Sequence, residues 1–436
     1  MKTAMNRMKK IGLLPRIIVA IVLGIILGNV LGEPWVRGFV TFNGIFSQFL
    51  GFMIPLIIVG LVTPAIADIG RGVGRLLLLT VAIAYGDTVC AGLLAYGTGS
   101  WLFPDMVARV TESGIATEKA PDLLPYFTVT IPAILDVMAA LVFAFMMGLG
   151  IAYLSHSPSP QAVCPPVSPA EKNSPQRVCP PVSPEEKNSP QRVCPPVSPA
   201  EKSSPLKAAF AEFRTIIEKT IAKAIIPLLP LYIFGIFLKM TYTGEVDHIL
   251  RVFAQIIVVI FALHLFILLY QFCLAGAVVR KNPLKLLWNM LPAYMTALGT
   301  SSSAATIPVT LRQTMKNGVS EDIAGFTVPL CATIHMSGSA MKITACALTI
   351  CLLEGMPHSF PMFLHFILML GIVMVAAPGV PGGAIMAALA PLSSILGFSA
   401  EAQALMIALY IAMDSFGTAC NVTGDGAIAL VVERWR

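Results

Sequence analysis

The chain has 436 residues, of which 56% are apolar and 12% charged, with a mean hydropathy of +0.80 and a formal net charge of +6. Soluble domains carry roughly a quarter charged residues, so the composition excludes an ordinary soluble enzyme or binding module and points to an integral protein of a lipid bilayer. The positive charge is accounted for by membrane topology, and no nucleic-acid partner is read from it.

Crossing ~30 Å of hydrocarbon takes about 20 apolar residues in a helix. The sequence predicts eight such spans, near 11–31, 43–66, 76–97, 129–154, 221–240, 252–275, 323–353 and 403–431. Two further apolar regions, 286–311 and 360–398, are broken in the middle. The fold class expected is therefore an all-α membrane protein with eight transmembrane helices and two re-entrant helical hairpins. The first span follows a basic head, but its apolar run is too long for a secretion signal and no small-residue cleavage site follows, so it is read as uncleaved. Lys2, Arg7, Lys9 and Lys10, then Arg71 and Arg75, Arg280, Lys281 and Lys285, Arg312 and Lys316, and Arg434 and Arg436 fall on one side. That asymmetry predicts cytoplasmic termini in a cell (inner) membrane.

Residues 161–205 are three copies of a 15-residue unit, the second reading QRVCPPVSPEEKNSP. Four prolines per copy exclude helix and sheet ladder, so 155–205 is expected to be a hydrated cytoplasmic linker. It separates 1–154, with spans one to four, from 206–436, with spans five to eight and both broken regions. Cys164, Cys179 and Cys194 recur with the repeat and are read as part of the spacer rather than as a metal or redox comb. The other cysteines lie in apolar spans without metal-ligand spacing, and no covalent cofactor is implied.

Ionisable residues at membrane depth are costly enough to mark function. In the last span Asp414, Gly417, Thr418, Asn421 and Asp425 share one helical face. The two carboxylates stand about 16 Å apart at 1.5 Å per residue, so each needs its own counter-charge, a cation or a substrate ammonium. In the preceding span His335, Ser339 and Lys342 also have helical spacing, and Lys342 is expected to pair with Asp414 or Asp425. Asp87, inside the third span, is either a further cation ligand or a local hydrogen-bonding group. The broken regions carry GTSSSAATIPV from Gly299 and APGVPGGA from Ala377. Polar or irregular backbone is tolerated at that depth only where it lines a cavity or is buried in protein, and helix N-termini at a hairpin tip suit an anion.

With GTSSSAATIPVT, VPLCATIHMSGSA, GVPGGAIM and NVTGD in this order, the chain resembles the dicarboxylate/amino acid:cation symporter family, the glutamate transporter homologues. The likeness is specific over about 282–431 and topological over 11–154. It implies a symporter driven by Na⁺, H⁺ or both, an amino acid or dicarboxylate as solute, a homotrimer, and alternating access by an elevator movement. Substrate contacts are implied at Ser302, Ser303 and Ser339, at Val380 and Gly383 of the second tip, and at Asp414, Gly417, Thr418 and Asn421. One Na⁺ site is implied at Asp425 with carbonyls near Cys331, His335 and Asn421. Another is implied at Thr333 with the backbone around Val375 and Ala377.

Three departures bear on coupling and solute. The family's NMDGT reads HMSGS, so His335 and Ser337 replace an Asn and an Asp of a further Na⁺ site. Gly417 replaces the Arg that recognises an acidic side chain, which favours a neutral amino acid. Lys342 replaces an uncharged residue and stands in for a lost cation or for that Arg. His335, Lys342 and Asp87 are thus the coupling candidates. Two other readings are an intramembrane hydrolase built on Ser339-Ala-Met-Lys342, whose partner motifs are missing, and a passive channel.

Overall fold

The computed structural model describes residues 13–69, 74–113, 123–156, 205–244, 246–375, 377 and 382–435. The basic N-terminal head, Arg71, the repeats up to residue 204, and Val380 lie outside the described residues. Within them the chain is helical and contains no strand. In chain order the helices are α1 (Leu13–Gly28), α2 (Glu33–Ile69), α3 (Gly74–Ser113), α4 (Val137–His156) and α5 (Pro205–Thr220). A π-helical turn, Ile221–Ile225, leads into α6 (Ile226–Tyr242) and α7 (Val246–Val279). Then come α8 (Pro283–Thr300), α9 (Ser303–Lys316), α10 (Glu321–Ile334), α11 (Ser337–Leu353), α12 (Phe360–Met374), α13 (Gly383–Ser394), α14 (Ala400–Ala412) and α15 (Asp414–Trp435).

Among the described residues five helical stretches are long and apolar enough to cross a bilayer: Glu33–Ala67, Leu76–Arg109, Pro205–Tyr242, Ile249–Val279 and Glu321–Leu353. Ala400–Ala412 and Asp414–Trp435, bent by 63° at their junction, make a sixth if read as one span. Pro15–Gly28 and Val142–Leu154, at the places of the first and fourth expected spans, are shorter apolar helices. The exterior matches a lipid environment: Val22 and Ile26 on α1, Val142 and Met146 on α4, and Leu265 and Phe266 on α7 are exposed. The interior is the reverse, with Lys342, His335 and Asp425 among the most buried groups.

Several expected boundaries shift. The fourth helix starts at Val137 rather than near 129, because Pro125 and Pro132 interrupt the backbone donors and residues 123–136 lie along α2 instead. There the Tyr126 amide donates to Thr41 Oγ1 at 2.9 Å and its hydroxyl to the Pro34 carbonyl at 3.1 Å. The span expected from 221 is preceded by amphipathic α5, whose charged face masks it from a hydropathy reading while Phe210, Phe213 and Ile217 pack on the core. The span expected over 323–353 breaks at His335 and Met336, and the last one at Met413.

The packing divides the helices differently from chain order. Helices α1, α2, α4, α5 and α6 pack on one another, while α3 packs with α7, α11 and α12. Each broken region forms a helical pair, α8 on α9 and α12 on α13. In the first pair Asn282 caps α8 by accepting from the Leu284 and Lys285 amides, at 2.9 and 3.3 Å. Ser301 then turns the chain in the left-handed region, at φ 50°, and Ser302 caps α9 by accepting from the Ala305 amide at 3.3 Å. Serine therefore serves as turn and cap at once, giving the hydroxyl run a local structural reason.

Candidate functional site

The tips of both helical pairs meet at the first turn of α15. Ser301 Oγ of the first tip and Ser415 Oγ share a hydrogen bond of 2.6 Å. At the second tip the Gly382 amide, at the N-terminus of α13, donates to Asp414 Oδ2 at 2.9 Å. Gly382 is left-handed at φ 76°, a conformation glycine adopts without strain, and Gly383 follows as the first residue of α13. Asp414 is 7% exposed, and Thr418 Oγ1 donates to its carbonyl at 3.0 Å. Ser303 opens α9 one residue beyond the cap Ser302.

The second group joins α11, α14 and α15. Asn421 Oδ1 accepts from the Gly338 amide at 2.8 Å and the Ser339 amide at 3.4 Å, so a side chain of α15 caps α11, which has no side-chain cap of its own. Asn421 Nδ2 donates to Ser339 Oγ at 3.1 Å, and Ser339 Oγ shares a 3.0 Å bond with the Tyr410 hydroxyl. Lys342 makes no direct contact with Asp414 or Asp425, although the Asp414 carboxylate acts on it through charge. Its Nζ donates to the Met413 carbonyl at 3.0 Å and sits 3.9 Å from the centre of the Tyr410 ring. The bend at Met413 presents that carbonyl at the C-terminus of α14, where the helix dipole favours a cation. Asp414 and Asp425 are turned to Gly382 and His335 instead. Gly417 makes room for the ammonium: a Cβ there would fall 2.5 Å from Lys342 Cε. Ser339 and Lys342 are bonded to different partners, so the Ser-Lys dyad of the hydrolase reading is not assembled.

The third group lies at the break between α10 and α11. His335 sits in the break rather than on the helical face with Ser339 and Lys342. Its Nδ1 is 2.9 Å from Asp425 Oδ1, and its Nε2 is 2.8 Å from Asp87 Oδ2. Gln271 of α7 donates from Nε2 to Asp87 Oδ2 at 2.6 Å and to Ser337 Oγ at 3.0 Å. The break's backbone is also satisfied: the His335 amide bonds the Cys331 carbonyl at 2.8 Å, and the Met336 amide reaches Thr88 Oγ1 at 3.4 Å. Thr333, by contrast, is exposed and donates to its own-helix Leu330 carbonyl at 2.7 Å, which leaves its oxygen lone pairs available. Val375 packs against the apolar cluster that holds Cys331 and Ile334, and Ala377 bonds back to the Met374 carbonyl at 3.0 Å.

The structure thus brings Asp414, Ser339, Asn421, Lys342 and Gly417 into one region, and joins His335, Asp425 and Asp87 in another. Tyr410, Ser415, Gly382 and Gln271 were not anticipated. Gln271 is a polar residue deep in an apolar span, so the rule that picked out Asp414 would have found it. The same holds for buried His264, one turn from Phe261, whose ring meets that of Phe416 edge-on at 4.6 Å.

A helical membrane protein with two broken helical pairs converging on a bent helix of buried carboxylates has the form of a secondary transporter. Residues 13–163 and 197–435 match the Sodium:dicarboxylate symporter family, and the chain belongs to it. The Excitatory amino acid transporter 3 of Mus musculus is 37% identical over 158 residues, 36% of this chain and 30% of that protein. The Excitatory amino acid transporter 1 of Rattus norvegicus is 31% identical over 202 residues, 46% of this chain and 37% of that protein. The Neutral amino acid transporter B(0) of Rattus norvegicus is 33% identical over 147 residues, 34% of this chain and 26% of that protein. The matched stretch therefore covers well under half the length of these relatives, which are transporters rather than enzymes.

Proposed function

We propose that the chain is a secondary symporter that couples entry of Na⁺, H⁺ or both to uptake of an amino acid or a dicarboxylate. The observation that carries this reading is the meeting of both tips at Asp414 and Ser415. A solute held there touches the amide at the start of α13, the serines at the start of α9 and the Asp414 carboxylate. Asp414 suits a solute ammonium, and the α13 N-terminus suits a solute carboxylate once Asp414 releases the Gly382 amide. Lys342 supplies a fixed positive charge beside Gly417. Its charge suits a solute with a second anionic group. Thr333 and the backbone at Val375 and Ala377 offer oxygen ligands for a travelling Na⁺.

Eight membrane spans and two re-entrant hairpins, with both termini cytoplasmic in an inner membrane, are part of this reading. So is a homotrimer in which α3 and α7–α15 move as an elevator against α1, α2 and α4–α6. The two groups of helices support it, since α13 meets α2 and α14 meets α1 and α6, and Ala384, Ala387 and Ala404 belong to the apolar cluster those helices share.

Counterflow in proteoliposomes tests it. Vesicles preloaded with unlabelled aspartate or succinate are expected to accumulate the labelled solute transiently, and Asp414→Asn to reduce exchange of the amino acid at least 100-fold. Conduction without saturation would indicate a channel, and absence of exchange with every amino acid and dicarboxylate would reject the carrier.

A further inference from the structure

His335 occupies a position that two carboxylates address from opposite sides. Asp425 reaches one ring nitrogen at 2.9 Å and Asp87 the other at 2.8 Å, with His335 1% exposed and Asp425 1% exposed. The ring fills the space between the two carboxylates and engages one with each nitrogen; with both carboxylates ionised, both nitrogens donate and the ring carries the charge that balances them. The surroundings are shaped to hold it there. A Cβ on Gly424 would fall 2.7 Å from His335 Cε1 and 2.7 Å from Gln271 Oε1, so the absence of a side chain in α15 admits both groups. Gln271 steadies the far carboxylate while binding Ser337, and the Cys331 carbonyl already accepts from the His335 amide.

Sodium is bound by converging oxygen atoms. Around Asp425 the approach is filled by an imidazole that donates, and Asp87 lies beyond that ring rather than beside Asp425. The donor set at this locus does not fit Na⁺.

We infer that the His335 ring, bridging Asp425 and Asp87, replaces a coupling cation, so that Na⁺ binding by this protein does not use the Asp425 locus. The ring also ties α3 and α15 to the break between α10 and α11, a link a mobile ion would release on each cycle. This inference rests on the symporter reading only for the word coupling. The arrangement itself concerns where Na⁺ binds.

The test is Na⁺ binding by the full-length protein in detergent, read as Na⁺-dependent thermal stabilisation against choline and as bound ²²Na⁺ per chain. In His335→Asn two buried carboxylates lose their counter-charge and gain an oxygen ligand, so the variant is expected to acquire a Na⁺ site. Half-saturating Na⁺ should fall at least tenfold relative to wild type, with about one more ion bound per chain. Adding Asp425→Asn to that variant should remove the gain. His335→Gln, whose longer amide still donates to one carboxylate, serves if the Asn variant does not fold, and the same gain is expected. An unchanged Na⁺ response in the folded variant overturns the inference, as does loss of a wild-type Na⁺ site on replacing Asp425 alone. Neither result bears on counterflow, so failure here and failure of the carrier reading are separable.

Discussion

A side chain at position 417 and the Lys342 ammonium compete for one volume, because a Cβ there would lie 2.5 Å from Lys342 Cε. The ammonium is fully buried with no carboxylate bonded to it. Burying an ion costs several kcal/mol. A charge-assisted hydrogen bond returns about 1.5–3 kcal/mol, and a desolvated cation–π contact about 2. Neither alone offsets the cost, so the Met413 carbonyl, the Tyr410 ring and the charge of the neighbouring Asp414 carboxylate together hold the ammonium. In Gly417→Ala the end of Lys342 must shift away from its contacts, and the stability loss should be about 1–3 kcal/mol, the range of overpacking effects. The displaced charge should nevertheless raise the solute KM at least tenfold. Uptake kinetics beside thermal unfolding of the same preparation read both. Lower stability with unchanged KM and solute choice would remove Lys342 from recognition.

At the scale of elements, the first helical pair is closed at its base as carefully as at its tip. Asn317 Nδ2 donates to the Leu286 carbonyl at 3.1 Å, its Oδ1 accepts from Asn289 Nδ2 at 2.8 Å, and its carbonyl accepts from Lys281 Nζ at 2.7 Å. Asn317 is 3% exposed, so water cannot easily replace these bonds. Asn317→Ala leaves the backbone bond to Lys281 but removes the acceptor of the Asn289 amide and the second bond on the Leu286 carbonyl, which should cost about 1–3 kcal/mol. The loss should appear as a lower unfolding midpoint and as faster amide exchange in α8 and α9. Exchange unchanged in that pair would mean the base is held by apolar packing alone.

For the whole molecule, the long interruption between α4 and α5 matters less than where those helices land. Both pack on α2, so the two halves of the chain are joined through one helix irrespective of the segment connecting them. Replacing residues 161–204 by a Gly/Ser linker of equal length should therefore leave folding intact and counterflow within about twofold. A larger loss in the reconstituted protein would give the repeats a role beyond spacing.

Membrane helices, broken regions and the polar stripe of Asp414, Asn421 and Asp425 were legible in the sequence, since a polar group in an apolar run has no cheap explanation. Span ends were less so, because amphipathic α5 hides its apolar stripe among charges and prolines delay α4 to Val137. The partners of the site were not legible at all. Helical spacing put His335 with Ser339 and Lys342, but the chain breaks at His335, and a break resets every phase beyond it. Lys342 was expected to pair with a carboxylate; Asp414 acts on it through charge, but the bend at Met413 gives its ammonium a carbonyl and a tyrosine face as direct contacts. Composition by itself determined the solvent this chain folds in and which residues are too costly to be idle there. Only the tertiary structure decided which costly group offsets which, because those pairings join α3, α7, the break after α10 and α15, segments whose separation along the chain carries no distance information.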